Sequence, residues 1–492
     1  MPPSTAPPSI AQLAVRGAIW TGVGQYGLFA FGIARVIILA RLVDRELFGL
    51  VAGAAVWTSY FSVGRLDLRM AALTSREERE VLDTQFLLEN VSAALAFPLA
   101  LLALALWPDL IGPRGWLLVF VLLAVAQIDA LTSTSAYLID RRLRQDVLGR
   151  LTAATAATGF GVPVACALLG YPLTALALAA VWPLLVPRLG AAIWARWRPG
   201  FAWTRDEIRR QLRLAASMWW IGLLGKITFQ FDDWLVFNLR RPAQVIWRGT
   251  GVEPEALYDR AYGVSKLPMD LAGGLIASNA LSIYAERASH GTAVLWSAYR
   301  RLTWALSWII FSSGSYLFLA ADSLVHVLGE AWIPMVPLIQ LMIVFIVGRP
   351  LLQNCAQVLL ALKQERDVRF ATLVQAVFLI VVCPPAAFYY GAAGAAGAVS
   401  LMTAVGLVVS ERCVARRLGR SSWPAYGAPA GAAVVAILLT AGLASALPTS
   451  VWLAAIAKGV LCGVVFALGL WLSDRPAALD LWHTVRRGWN QP

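Results

Sequence analysis

The sequence predicts an all-α membrane protein of about 14 transmembrane helices, arranged as two six-helix lobes related by a parallel repeat and followed by a C-terminal helix pair. Three observations carry that prediction: long apolar runs, a low charged fraction and an alternating distribution of basic residues. Hydrophobic residues make up 59% of the 492 residues and charged residues 14%, against about 25% charged in an ordinary soluble domain. With so few charges the bilayer is the solvent. Segments that cross it must satisfy their own backbone hydrogen bonds, as helices or as a closed barrel. The runs are continuous rather than alternating with period two, so they are helices.

Runs of about 20 apolar residues place the spans at 17–40, 48–64, 83–107, 115–139, 147–169, 172–195, 211–238, 257–285, 302–320, 334–361, 368–389, 391–411, 425–446 and 451–473. The start, MPPSTAPPSIAQLAVRG, is Pro-rich and polar, and the run after it is too long for a signal h-region. No cleavable signal peptide is expected.

The formal net charge is +13, and its distribution explains it. One set of alternate loops contains RLDLRMAALTSREERE, DRRLRQDVLGR, RWRPGFAWTRDEIRRQLR, ERASHGTAVLWSAYRR, KQERDVR, RCVARRLGR and DRPAALDLWHTVRR. With Arg16, that side holds about 28 of the 41 Lys and Arg residues; the opposite loops hold only Arg41, Arg45, Arg114, Arg240, Arg241 and Arg248. Such asymmetry puts both termini in the cytoplasm. Contact with anionic membrane lipids is a secondary consequence. With no basic soluble module, nucleic acid is not an expected partner.

Seven basic residues remain inside the spans: Arg35, Arg188, Lys226, Arg260, Lys266, Arg349 and Lys458. The acids there are Glu89, Asp129, Asp232, Asp233, Asp259 and Asp270. Each charge at mid-bilayer costs about 3 kcal/mol, so the interior is polar, as a cavity or a paired network. Arg188 and Lys458 fit snorkelling or structural pairing. Cys166, Cys355, Cys383, Cys413 and Cys462 are scattered without paired spacing and read as small apolar residues. His290, His326 and His483 are isolated, so no metal site is expected. Many of the Trp residues, such as Trp107, Trp203, Trp332, Trp423 and Trp471, sit near span ends as an interfacial belt.

The stretch from Gln12, QLAVRGAIWTGVGQYGLFAFGIARVIILARLVDRELFGLVAG, parallels the stretch from Gln211, QLRLAASMWWIGLLGKITFQFDDWLVFNL, with EPEALYDRAYG after it. Each has a basic lead-in, a span, a short acidic outer turn and another span. Both start on the same side, so the repeat is parallel, an arrangement used by transporters. The expected organisation is a cytoplasmic tail (1–15), an N-lobe (16–200), a C-lobe (201–420), a final pair (421–474) and a cytoplasmic tail (475–492). In this register Arg35 lies level with Trp234, beside Asp233.

ARVIILARLVDRELFGLVAG (34–53), GRLDLRMAALTSREERE (64–80), FDDWLVFNL (231–239), EALYDRAYGVSKLPMDLAGGL (255–275), VHVLGEAWIPMVPLIQLM (325–342) and AQVLLALKQERDVRF (356–370) follow one another in an order and spacing that resembles the bacterial polysaccharide transporters, the Wzx-like flippases. These belong to the multidrug/oligosaccharidyl-lipid/polysaccharide exporter superfamily. The resemblance covers most of residues 12–420. It implies two lobes around a central cavity and flipping of polyprenyl-pyrophosphate-linked oligosaccharide by alternating access, for O-antigen, capsule or exopolysaccharide synthesis. Asp232 matches an acid common in that span. Two departures affect the outer ends of the seventh and eighth spans: the loop RRPAQVIWRGTGVEP is longer than usual, and the Gly expected before Leu257 is missing.

Lys226, Gln230 and Asp233 share one helical face, whereas Gly225, Thr228 and Asp232 share a face about 100° away. The two acids therefore cannot both point into one cavity; either one faces it, or both are structural, satisfied by Lys226, Arg35 or helix termini. Asp259, Tyr262, Lys266 and Asp270 share a face of the eighth span, and Arg349 precedes Gln353 and Gln357 at i+4 and i+8. An anionic glycan carrier needs cations for phosphate. Arg35, Lys226, Lys266 and Arg349 are the candidates for that role. Gln25, Gln230, Tyr262, Gln353 and Gln357 are candidates for sugar contact, each also able to serve as a helix-packing hydrogen bond. Asp232, Asp233, Asp270, Asp129 and Glu89 are candidates for gating or for binding a coupling proton or sodium ion; no other cofactor is expected. The expected partners are the lipid-linked glycan, membrane lipids and polysaccharide polymerase or glycosyltransferase machinery. The interior cations disfavour a cation-coupled multidrug exporter, and a lipid II-type flippase is a further alternative. Short loops and the lack of a nucleophile–base constellation argue against an enzyme.

Overall fold

The computed structural model describes residues 27–66, 68, 79–141, 145–200, 202–238, 254–443 and 450–473. Gln25, Arg16, both tails and the long outer loop (240–254) lie wholly or almost wholly outside the described residues. Every long element is helical: α1 (27–42), α2 (Arg45–Phe61), α3 (Arg79–Ala94), α4 (Ala96–Leu106), α5 (Gly112–Arg141), α6 (Gln145–Leu168), α7 (Pro172–Ala195), α8 (Arg205–Asn238), α9 (Pro254–Ser289), α10 (Thr292–Leu328), α11 (Val336–Leu341), α12 (Ile343–Ala361), α13 (Glu365–Leu418), α14 (Pro424–Gly442) and α15 (Val451–Ser473). Ten candidate spans are long and apolar enough to cross a membrane.

The chain divides into two compact units, Met1–Leu223 and Leu224–Pro492. The division falls inside α8, later than the lobe boundary at residue 201 that the repeat suggests. Its first half is tied to unit 1 by side chains. Gln211 Nε2 donates to Val81 O at 2.9 Å, Trp219 Nε1 donates to Val63 O at 2.7 Å, and Ala215 packs on Leu68.

In unit 1, α5 packs against α2, α3 and α7, and α6 packs against α7. After α2 and a 3-10 turn (Ser62–Gly64), the described residues 65, 66 and 68 are not helical. Their bare amides are met by side chains of α3: Leu66 N donates to Ser92 Oγ (3.1 Å) and Leu68 N to Glu89 Oε1 (3.0 Å). A buried non-helical backbone needs such partners. The segment entering α8 is held likewise, because buried Asp83 accepts from Gly200 N (2.9 Å) and Ala202 N (3.2 Å).

In unit 2, α12 packs between α9 and α13, and α10 contacts α9, α14 and α15. The 54 residues of α13 would extend about 81 Å as one rod, far beyond the ~30 Å hydrocarbon layer. They form a hairpin instead. Gly391 has φ 60° and ψ −141°, a conformation open only to glycine, and reverses the chain there. The proof lies at the base, where Arg417 Nε meets Asp367 Oδ2 at 2.7 Å.

The C-terminal pair, α14 and α15, belongs to unit 2. Trp308 of α10 packs with Ala432, Ala436, Cys462, Val465 and Phe466, and Lys458 Nζ reaches Asp322 Oδ1 at 2.7 Å. Lys458 is thus ion-paired rather than reaching for the interface. All five cysteines are free and at least partly buried. Trp107, Trp203, Trp423 and Trp471 are exposed, as a belt requires, but Trp332 is buried and belongs to the core.

Candidate functional site

On α8, Thr228 and Asp232 lie one turn apart on one face and are both buried. Asp232, 1% exposed, accepts a 2.5 Å hydrogen bond at Oδ2 from the hydroxyl of Tyr258 on α9. Its Oδ1 has no hydrogen-bond partner among the described residues. Asp233 lies half-buried on the other face, with Lys226 and Gln230. The two acids are thus separated as the helical pitch demands, with Asp232 turned to a neighbouring helix.

Thr228 serves a second residue. Arg349 of α12, 6% exposed, directs Nη2 to Thr228 Oγ1 (3.4 Å) and Nη1 to Gln375 Oε1 (3.2 Å). Its guanidinium carbon lies 3.5 Å from the centre of the Phe229 ring. The cation is therefore held by an amide, a hydroxyl and an aromatic face, and no carboxylate contacts it among the described residues. Burial of a guanidinium without an ion pair is costly, so its placement depends on these neighbours. Gln375 is itself oriented by donating Nε2 to Ala371 O at 3.0 Å. It fits because residue 406 on the returning arm of α13 is glycine; a Cβ there would stand 2.6 Å from the Gln375 side chain.

On α9, Lys266 Nζ sits 4.3 Å from the centre of the Tyr262 ring, a cation–π contact. The Tyr262 ring stacks on Tyr258 at 6.4 Å and tilts against Phe345 at 5.2 Å. An aromatic ladder thus connects the Asp232–Tyr258 bond to Lys266, and α12 brings Arg349 beside α8 in the same unit. Of the remaining candidates, Gln353 is exposed and Gln357 half-buried. The Asp270 side chain and Gln25 lie outside the described residues.

Three candidates belong to unit 1. Arg35 donates Nη1 to Gly159 O at 2.9 Å. Glu89 is buried and accepts from Leu68 N, Gln85 and Ser133, so it supports the non-helical residues after α2. Asp129 is engaged by Arg65 and Arg188, each at 2.6 Å.

Sequence reading passed over Gln375, Phe229 and Glu411. Glu411 is fully buried and accepts from Tyr299 Oη (2.8 Å), Cys355 Sγ (3.3 Å) and Tyr426 Oη. It stands at the end of an apolar run and before RCVARR, and so reads as a loop acid.

A family model described as polysaccharide biosynthesis protein matches residues 38–337. No curated protein sequence matches the chain. Among solved structures, the lipid II flippase MurJ in an inward closed conformation aligns with a TM-score of 0.64 at 11% identity, over 95% of this chain and 99% of that one. An inward-facing multidrug resistance MATE family transporter of the MOP superfamily aligns at 0.56 with 15% identity, over 81% and 94%. A MOP superfamily transporter from Pyrococcus furiosus, described as having a binding pocket of reverse polarity, aligns at 0.55 with 15% identity, over 83% and 97%. At these identities the likeness is one of fold.

Proposed function

Because this chain belongs to the polysaccharide biosynthesis protein family and has the fold of MOP superfamily transporters, we propose that it is a flippase. It moves polyprenyl-pyrophosphate-linked oligosaccharide units across the bacterial cytoplasmic membrane by alternating access. The fold is that of a transporter superfamily and not of an enzyme.

The observation that carries the substrate class is Arg349. A buried guanidinium whose direct partners among the described residues are an amide, a hydroxyl and an aromatic ring, with the Asp232 carboxylate acting on it only from a distance, can offer its charge to an anion, and its planar fork suits phosphate oxygens. Lys266, on its aromatic ladder, and Lys226 supply further cations in the same unit, while Arg35 is a candidate phosphate cation of unit 1, taken by itself. Gln230, Tyr262, Gln353 and Gln357 are the residues of that unit proposed for sugar contact; Gln25 lies outside the described residues. Asp233, half-buried on the helical face that carries Lys226 and Gln230, is the acid proposed to face the substrate path, and Asp232 is the gating acid held by Tyr258. A coupling proton or sodium ion binds among these acids.

The architecture that goes with this reading has about 14 crossings. Ten come from length and composition, one more from the α13 hairpin, and three from α1, α8 and α9. Six lie in each lobe of a parallel repeat, a C-terminal pair follows, and both termini are cytoplasmic. Polymerase or glycosyltransferase machinery supplies and consumes the substrate.

Deleting the gene and analysing lipid-linked glycans tests the proposal. Complete repeat units should accumulate on the cytoplasmic leaflet and be cleared by the wild-type gene but not by Arg349→Gln. Normal glycan export with altered drug resistance would favour the multidrug reading instead.

A further inference from the structure

Unit 1 contains a cationic cluster that the site in unit 2 does not use. Arg65 Nη2 meets Asp129 Oδ2 at 2.6 Å, and Arg188 Nε meets Asp129 Oδ1 at 2.6 Å. Two guanidiniums contact one carboxylate, so the three groups in direct contact carry a net positive charge. Arg65 also points Nη1 at Ala126 O, at 3.5 Å. Glu89 of α3 accepts from Leu68 N, Gln85 and Ser133 and acts on Arg65 electrostatically without pairing with it.

Arg188 is the informative member. A guanidinium has five N–H donors; here Nε is in ion-pair contact with Asp129 Oδ1 but outside hydrogen-bond geometry. Both Nη groups lack a protein partner among the described residues, and the side chain is 33% exposed. Snorkelling does not describe it. A snorkelling arginine runs along the helix to the interface, whereas this one is fixed sideways onto α5. Asp129 stands ~18 Å from the Arg141 end of α5 by helical rise. The rotation of α7 agrees: Leu151 of α6 packs into Gly190, which lies about 200° around α7 from Arg188. Arg188 therefore faces away from α6 and toward α5.

We propose that Arg188, positioned by Asp129 together with Arg65, is a second anion site, whose Nη fork takes a phosphate or pyrophosphate group within unit 1. Asp129 is then a positioning residue rather than an ion-coupling one, because Oδ2 accepts a hydrogen bond from Arg65 and Oδ1 is in ion-pair contact with Arg188. Only the anionic class of ligand rests on the proposed function; the site itself rests on the geometry of unit 1.

Titration of the full-length protein in lipid nanodiscs with inorganic pyrophosphate tests this. Arg188→Gln should weaken binding at least tenfold. Arg188→Lys, which keeps an ion pair to Asp129 but loses the fork, should weaken it about threefold, and it decides the matter if Arg188→Gln does not fold. Wild-type affinity in both variants, or no pyrophosphate binding by the wild type, overturns the proposal. Arg349→Gln run in parallel separates the two sites. Loss with Arg188→Gln but not with Arg349→Gln retains the unit 1 site and removes the Arg349 reading, and the reverse outcome does the opposite.

Discussion

Gly406 and Gln375 face each other across the α13 hairpin so closely that a Cβ on residue 406 would lie 2.6 Å from the glutamine side chain. The same glutamine accepts from Arg349. Gly406→Ala should therefore push Gln375 off the guanidinium, at a cost of about 1–3 kcal/mol from overpacking. Adding Gln375→Ala should relieve the clash and restore much of the thermal stability without restoring export. If the double variant exports glycan like the wild type, Gln375 does not hold Arg349 in a working position.

The Tyr258–Asp232 bond predicts a coupled pair. Asp232 Oδ1 already lacks a hydrogen-bond partner among the described residues, so Tyr258→Phe leaves the second oxygen bare as well. That should cost about 1–3 kcal/mol. In a double-mutant cycle with Asp232→Ala, which removes the acceptor, read by thermal unfolding in detergent, the effects should be less than additive. Strict additivity would mean that the bond contributes nothing of its own.

Glu411 should behave as a structural acceptor. Glu411→Ala leaves the hydroxyls of Tyr299 and Tyr426 and the thiol of Cys355 facing an empty site, and stability should fall by about 2–5 kcal/mol. Glu411→Gln keeps an acceptor oxygen and should lose roughly half as much or less. The measurement is folded yield and unfolding temperature; equal loss from both variants would show that the charge, not the acceptor, matters.

The hairpin and the orientation can be read together by thiol labelling in whole cells, in a background with Cys166→Ala. Tyr390→Cys, at the exposed tip, should react with a membrane-impermeant maleimide added outside. Glu365→Cys, at the base, should react only after permeabilisation. Labelling of both from the same side would rule out a crossing between them.

Much of the helical framework was legible because apolar run length and loop charge are local properties. The break at Gly391 was legible for the same reason, since the predicted runs end at 389 and resume at 391. Arg349 stood out as a charge beside Pro350 in an apolar run. Its partners did not, because Thr228 and Gln375 come from other helices and carry no local mark. Arg65 read as one more loop cation; only the fold brings it to Asp129. Glu411 was hidden by its basic neighbours. Buried Val414, one turn on, shares its helical face and was the available sign that the acid turns inward.

The reversal at Gly391 has a consequence for how the chain can change over generations. A Cβ at residue 394 would fall 2.0 Å from the carbonyl oxygen of Ala386, so the tip holds no slack. Extra residues there would slide one arm against the other and carry Gln375 out of register with Gly406. Insertions and epitope tags at the junction should therefore destabilise the fold, and the two arms should tolerate changes in length only together.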